Sequence, residues 1–339
     1  MDNRRIVFTA PGNVELLTES VREPADGEVL VELSVSTISS GTERANLAGE
    51  INVTPFRECK EAIFPRSSGY SAVGKIIQTG KNVRSLCIGD RVALIWSKHS
   101  QYLCMKEANV VKIEDDSITD SEAALCHIGA FPLAAIRKCR LEIGEAALIM
   151  GLGILGMMAV NQLRAAGAAP VIAADPVESR RKRALEFGAD YAFDPLSSDF
   201  AQQVKAVSDG GVNVAIEVTG VGSGLNNALD CMKRFGRIAL LGCTRHSDFT
   251  VDYYRKVHGP GISLIGAHTQ ARTEHDSFSG MWTTADDIRA QLRLLSVNRL
   301  SYKELVEEIH SPKECKAVYE RLLTEKSFPI VQFDWGNME

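Results

Sequence analysis

The sequence predicts an α/β protein in which a doubly wound parallel sheet is joined to a β-rich domain, and three observations predict it. From residue 146 onward strand-like and helix-like segments alternate, at 146–150, 154–166, 171–175, 178–187, 212–218, 223–233 and 237–242. That alternation builds a parallel sheet covered by helices. Second, the apolar run Ala146 to Met150 enters Gly151-Leu152-Gly153-Ile154-Leu155-Gly156, and a helix-like stretch leaves it. Third, residues 1 to about 110 have the texture of short strands and turns instead.

In that β-rich part, Ile6 to Thr9 and Val29 to Val35 read as strands, and Gly69 to Ile77 turns into another through small residues. Ile88-Gly89-Asp90-Arg91-Val92 reads as a turn feeding the apolar Ala93 to Trp96. Ser121 to Lys138 has helical periodicity. Beyond Ala271 the pattern is helical again at 284–297 and 312–324, before a short terminal strand from Ile330 to Trp335. No internal repeat or low-complexity stretch interrupts the chain.

A chain of 339 residues suits about two domains, and 45% hydrophobic with 24% charged residues is ordinary globular composition. The net charge of −5 offers no basic footprint for nucleic acid. Met1 to Arg5 runs straight into Ile6 to Thr9 with no signal-peptide core, and no apolar stretch reaches the length of a membrane span. A cytoplasmic location with no membrane partner is the expectation. Eight cysteines, at 59, 87, 104, 126, 139, 231, 243 and 315, form no CxxC pair or dense cluster. They read as reduced, packed thiols, and no structural zinc lobe is expected.

The glycine loop carries chemistry. Gly151 permits a tight strand-to-helix turn, Gly153 lets backbone approach a pyrophosphate, and Gly156 lets helix and strand pack closely. Ile154 and Leu155 open the helix, whose free N–H groups and positive end attract phosphate. Asp175 follows 19 residues after Gly156 at the end of a second apolar run, Val171 to Ala174. There a carboxylate accepts hydrogen bonds from ribose hydroxyls and repels a 2′-phosphate, which favours NAD over NADP. Against that stands the basic cluster Arg180-Arg181-Lys182-Arg183, of which Arg180 is the candidate phosphate or ribose contact and the rest read as a solvated helix face.

Further motifs align in order along nearly the whole chain: Val31-Glu32-Leu33 to Ser40-Gly41-Thr42-Glu43, Gly69-Tyr70-Ser71-Ala72-Val73-Gly74, and Gly89-Asp90-Arg91-Val92. With the glycine loop they resemble the medium-chain dehydrogenase/reductase superfamily. The resemblance implies a GroES-like catalytic domain at 1–120, a Rossmann NAD-binding domain at 121–275, and a segment at 276–339 returning to the catalytic domain. It also implies a homodimer or homotetramer built through the cofactor domain. By family position Thr219 (in Glu217-Val218-Thr219-Gly220), Gly242 and Thr244 (in Leu241-Gly242-Cys243-Thr244-Arg245) and His268 border the cofactor, with Arg245 able to meet a phosphate or a substrate carboxylate.

The departures matter more. In zinc-dependent members a Cys, a His and a third ligand hold the catalytic metal, whereas the aligned positions here are Ser40, Tyr70 and His127. Neutral hydroxyls are poor zinc ligands, so no catalytic metal is expected. Ser-Gly-Thr-Glu-Arg with Gly-Tyr-Ser is similar to a zinc-less branch that includes bacteriochlorophyllide hydroxyethyl dehydrogenases and bacterial sugar-pathway dehydrogenases. That implies alcohol-to-ketone chemistry on a hydroxylated small molecule such as a sugar, polyol or cyclitol.

Without a metal the chain itself must supply a base for the hydroxyl proton and donors for the developing alkoxide. Ser40 and Thr42 sit on the turn facing substrate in this family, and Thr42 matches its proton-relaying hydroxyl. Tyr70 is expected to point its phenol into the space a metal ligand would occupy. His127 is the first choice of acid/base because imidazole titrates near neutrality; His99, on a loop bordering the same cleft, is the second and Lys98 the third. Glu43 matches a carboxylate that orients a metal-binding His, and is expected here to pair with an arginine. The rival functions are a zinc-free NADPH quinone or enone reductase and a non-catalytic NAD-binding sensor, since fold alone never proves activity.

Overall fold

The computed structural model describes residues 1–54, 60–245, 247 and 249–338, which leaves Cys59 outside the described residues. The chain divides into two compact units, Met1–Ile128 with Ile288–Glu339, and Gly129–Asp287. The first opens with β1 (Asp2–Ala10), β2 (Asn13–Ser20), β3 (Glu28–Thr37), α1 (Ser40–Ala48), β4 (Arg66–Ser67), β5 (Ser71–Thr79), β6 (Arg91–Ile95), β7 (Tyr102–Lys106), β8 (Val110–Lys112) and α2 (Asp120–Ala123). Helix α3 (Cys126–Lys138) carries the chain into the second unit. There follow β9 (Ala147–Met150), α4 (Ile154–Ala165), β10 (Val171–Ala174), α5 (Glu178–Glu186), β11 (Tyr191–Phe193), α6 (Phe200–Val207), β12 (Val212–Glu217), α7 (Gly222–Asp230), β13 (Met232–Leu240) and β14 (Ser263–Gly266). Helix α8 (Thr284–Ser296) returns the chain, and β15 (Glu308–His310), α9 (Cys315–Thr324) and β16 (Val331–Asp334) complete the first unit.

The first unit is β-rich because its strands alternate. Along β3, Val29, Val31 and Leu33 face one buried side, and on the other side Leu30 is buried while Glu32 is exposed. The main sheet runs β15-β16-β3-β5-β6-β8, with β7 also on β3; a smaller sheet runs β2-β1-β4. Their core joins β3, β5 and β6 to the returning segment through Val318, Tyr319, Leu322, Phe333 and Trp335. Helix α2 starts at a reciprocal cap, in which Thr119 Oγ1 accepts the Glu122 N–H at 3.2 Å and the Glu122 side chain accepts from the Thr119 backbone.

The second unit is a six-stranded sheet in the order β11-β10-β9-β12-β13-β14, parallel throughout. All four residues of β9 and of β10 are buried, which is why these strands read as unbroken apolar runs rather than alternating ones. The chain reverses direction of sheet growth between β9 and β12, and open α/β sheets bind ligands beyond the strand ends at that switch point. Among the described residues no helix is long and apolar enough to cross a membrane.

Three details differ from the sequence expectation. The boundaries fall at 128 and 287 instead of 120 and 275, because α3 and α8 each run through a junction without a break. The segment expected as a turn at Ser40–Glu43 is the first turn of α1, since Glu43 reaches back to accept the Ser39 N–H at 2.8 Å and so satisfies one of the helix's free donors. Strand β11, only three residues long, and helix α6, amphipathic with Phe200 and Val204 buried on one face, escape the sequence reading.

On the surface of the first unit, Glu308 makes a two-point pair with Arg321 (2.7 and 2.9 Å) and meets His310 Nε2 at 2.8 Å. The Arg321 guanidinium, with help from His310, holds the Glu308 carboxyl down from 4.5 to about 2. A carboxylate whose pKa is depressed by folding contributes stability above its unfolded pKa and loses it as pH falls through the folded value. The urea-midpoint difference between wild type and Glu308→Gln is therefore expected to shrink from about pH 4.5 to about pH 2. A difference that stays constant across that window would count against the pairing.

Candidate functional site

The dinucleotide candidates gather in the second unit. Gly151 has φ +99°, a region side chains rarely adopt, and a Cβ there would stand 2.9 Å from Thr219 Cγ2. A Cβ on Gly156 would lie 1.9 Å from the Gly151 carbonyl oxygen, so only glycine lets α4 pack on the turn it follows. Gly153 is the N-cap of α4, with open space where a side chain would stand, and Ile154 and Leu155 present the first helical N–H groups. This cradle fits a pyrophosphate.

Asp175 sits just past β10 and is 4% exposed. Its Oδ2 accepts the Leu152 N–H of the glycine loop at 2.8 Å, its Oδ1 accepts the Val177 N–H at 2.9 Å, and Arg180 Nη1 lies 3.7 Å from Oδ2. The structure thus joins the three sequence candidates Gly151–Gly156, Asp175 and Arg180 in one corner. Arg181 turns away to the Asp175 and Pro176 carbonyls at 2.7 and 2.9 Å.

The neighbouring strand ends complete this edge. Glu217, 2% exposed at the end of β12, accepts the Thr219 N–H at 2.8 Å and the Thr219 hydroxyl, while burial pushes its carboxyl above the usual range. The Gly242 N–H donates to the Glu217 carbonyl at 2.8 Å, tying the loop that carries Thr244 and Arg245 to the end of β12. His268 follows β14, its Nδ1 accepting the Gln270 N–H at 3.2 Å; burial, then Lys138, push its pKa below the ordinary value.

The first unit holds a hydroxyl and aromatic cluster. The Tyr70 phenol donates to Ser39 Oγ, and Ser39 is the N-cap of α1, directly before Ser40 and two residues before Gly41-Thr42. His127, 1% exposed near the start of α3, packs its ring 5.6 Å from Tyr70 and 4.8 Å edge-on from Trp96, whose ring is 5.6 Å from Tyr70. Trp96 is 41% exposed and held at φ +56°. Side chains other than glycine tolerate that region poorly, and such residues cluster where function demands a particular direction. Ser39 and Trp96 were missed by sequence reasoning. The Ser39-Ser40 doublet and an aromatic ending the apolar run Ala93–Ile95 are the signals that mark them.

Two expectations are corrected. His99 does not border an open space: it is 0% exposed, with Nδ1 2.6 Å from Ser36 Oγ and Nε2 3.2 Å from Glu43 Oε2. Trp335 Nε1 donates to the same Ser36 oxygen at 2.8 Å, so the set is self-consistent with Ser36 donating to Nδ1 and the His99 proton on Nε2, aimed at the carboxylate. Glu43 pairs with no arginine among these contacts; its other donors are the Ser39 N–H and the phenol of Tyr319. Burial, and then the Glu43 carboxylate, push Tyr319 well above the ordinary range and keep it a donor. Lys98 is exposed to solvent.

Zinc does not fit the donor set. Ser40 and Tyr70 are neutral hydroxyls at two of the three aligned positions, and the phenol is engaged with Ser39.

A parallel sheet with a glycine cradle at its switch point, in a chain that also folds a β-rich unit carrying a hydroxyl cluster, points to a dinucleotide-binding oxidoreductase. A family model for zinc-binding dehydrogenases matches residues 155–286. The chain is 29% identical to the D-guloside 3-dehydrogenase of Escherichia coli K12 over 280 residues, covering 77% of this chain and 80% of that one. It is 26% identical to the L-threonine 3-dehydrogenase of Pyrococcus horikoshii over 298 residues, 77% and 81% of the two chains. An alcohol dehydrogenase of E. coli CFT073, solved with NADH, shares the fold at TM-score 0.83 and 17% identity, covering 98% and 99% of the two chains. The family model, these relatives and the fold fit an alcohol dehydrogenase-like enzyme of the medium-chain dehydrogenase/reductase superfamily.

Proposed function

We propose that the protein is an NAD-dependent, zinc-independent dehydrogenase that interconverts a secondary alcohol of a sugar, polyol or cyclitol with its ketone. The observation that carries this reading is the Tyr70 phenol turned onto Ser39 beside His127, where metal ligands stand in the zinc enzymes. Hydroxyl and imidazole groups there recognise an alcohol by hydrogen bonds and polarise it without a metal.

When bound, the dinucleotide supplies nicotinamide C4 as hydride acceptor. The chain's own residues do the rest. Ser40, Thr42 and Tyr70 orient the substrate hydroxyl, and the exposed Trp96 face offers an apolar platform for the C–H side of a ring. His127 takes the hydroxyl proton, with Thr42 as relay; its burial excludes water from the developing alkoxide. Asp175 selects NAD by accepting from ribose hydroxyls and repelling a 2′-phosphate. The sugar-like substrate is supported by the D-guloside 3-dehydrogenase relative. A homodimer or homotetramer is supported by β14, a sheet edge whose Leu264 is 40% exposed. A cytoplasmic location and small-molecule partners alone complete the reading, on composition and charge.

The deciding experiment is a panel of sugars, polyols and cyclitols run with NAD and with NADP, before and after a chelator, alongside metal analysis. Turnover is expected with NAD, unchanged by chelation, on protein without stoichiometric zinc. Loss of activity on chelation overturns zinc independence. Enone reduction with NADPH identifies a quinone reductase instead, and tight NADH binding with no turnover identifies a sensor.

A further inference from the structure

Glu43 is a buried carboxylate, 2% exposed, that no step of the proposed chemistry uses. In the sequence it aligned with a group that orients a metal-binding histidine, yet here that histidine position is Tyr70. Its contacts show a different employment. One face of the carboxylate is anchored to the interior: Oε2 accepts from Tyr319, and His99 Nε2 stands 3.2 Å away, its ring braced by Ser36, whose Oγ accepts from Trp335. The other face points at the substrate cluster, with Oε1 accepting the Ser39 N–H at 2.8 Å. Ser39 Oγ makes no cap bond to its own helix and takes the Tyr70 phenol instead.

We propose that Glu43 is a positioning residue: held by His99 and Tyr319, it pins the backbone of Ser39 and so fixes the acceptor that aims the Tyr70 phenol in the hydroxyl cluster. The inference rests on the reading of that cluster as a substrate site. All the groups belong to the first unit, so the dinucleotide corner is not part of the device. The three donors on Glu43 come from the N-cap residue before α1, from α9 and from the segment before β7, the last two meeting α1 only in the folded unit. A hydrogen bond between buried groups is directional, so losing the carboxylate frees the start of α1 to turn and takes the Tyr70 acceptor with it.

The test compares Glu43→Gln, Glu43→Ala and Ser39→Ala, with Leu47→Val as a control for a purely structural change in α1. The first readout is kcat, KM and NADH affinity with the panel's fastest alcohol; the second is the 13C resonance of the Tyr70 Cζ, assigned by its loss in Tyr70→Phe. Glu43→Ala is expected to lower kcat by about 10- to 100-fold, the usual cost of removing a group that orients another at a site. NADH affinity stays unchanged, Glu43→Gln lowers kcat less than Glu43→Ala because its amide oxygen still accepts from Ser39 while its NH2 meets the Tyr319 and His99 donors, and Glu43→Ala and Ser39→Ala both move the Tyr70 resonance while Leu47→Val does not. An unmoved Tyr70 resonance in Ser39→Ala, or a Glu43→Ala enzyme with wild-type kcat, overturns the proposal. Should Glu43→Ala fail to fold, Ser39→Ala and Glu43→Gln still decide it. Should no alcohol be turned over by wild type, the functional reading fails while the resonance separately decides whether Glu43 positions Tyr70.

Discussion

Gly156→Ala is expected to lose NADH binding and stability together, while Gly153→Ala loses NADH binding alone. The two glycines lie three residues apart on one loop, yet their surroundings differ. A methyl at 156 would stand 1.9 Å from the backbone oxygen of Gly151, so α4 must lift from β9 or the turn must open. Overpacking of this kind costs about 1–3 kcal/mol, occasionally more. NADH affinity falls by about tenfold or more when the same displacement spoils the phosphate cradle, a loss of about 1.4 kcal/mol of binding for each tenfold. At Gly153 nothing lies within 4 Å, so the folded protein accepts the methyl and only the approaching pyrophosphate meets it. Thermal melts and NADH fluorescence titrations on both variants check this. Equal melting temperatures for Gly156→Ala and wild type would show that the turn is not packed as described.

Asp175→Asn is expected to shift cofactor preference from NADH toward NADPH. The carboxylate accepts two backbone N–H groups and lies 3.7 Å from Arg180, and in the proposed function its charge repels a 2′-phosphate. The amide keeps one acceptor for the loop, loses the charge, and releases Arg180 to face the phosphate. Hydrogen bonds to charged groups contribute about 1.5–3 kcal/mol, so the ratio of NADH to NADPH affinity falls by about 10- to 100-fold. Adding Arg180→Ala to Asp175→Asn should remove the gain in NADPH affinity, since the two side chains act on the same group. An unchanged ratio in Asp175→Asn would mean that selectivity resides elsewhere.

Both predictions rest on residues visible in the sequence, because their roles depend on local order. A strand, a glycine turn and a helix N-terminus are consecutive in the chain, and Asp175 ends the next strand beside them. The hydroxyl cluster was only partly legible. Ser40, Tyr70 and His127 were found by their alignment with metal ligands and Thr42 by its match to a proton-relaying hydroxyl, but Ser39, the group that receives the phenol, differs from Ser40 by one position, and only the geometry of the α1 start tells them apart. Trp96 read as the end of a strand until its backbone and exposure were seen.

His99 shows why the remainder was hidden. Its sequence neighbours, Ser97, Lys98 and Ser100, are polar and suggest an exposed loop, yet its ring is enclosed by Ser36, Glu43 and Phe333, the last at 5.3 Å edge-on. Those partners come from β3, α1 and β16, between 56 and 234 residues away by numbering. Sequence by itself determined the sheet and the glycine cradle, because periodicity and short motifs are properties of neighbouring residues; hydroxyls at the metal-ligand positions are what the family resemblance implies. Tertiary structure alone decided which histidine faces Tyr70 and which is locked in the interior, because burial and hydrogen-bond partners are set by segments that meet only when the chain folds.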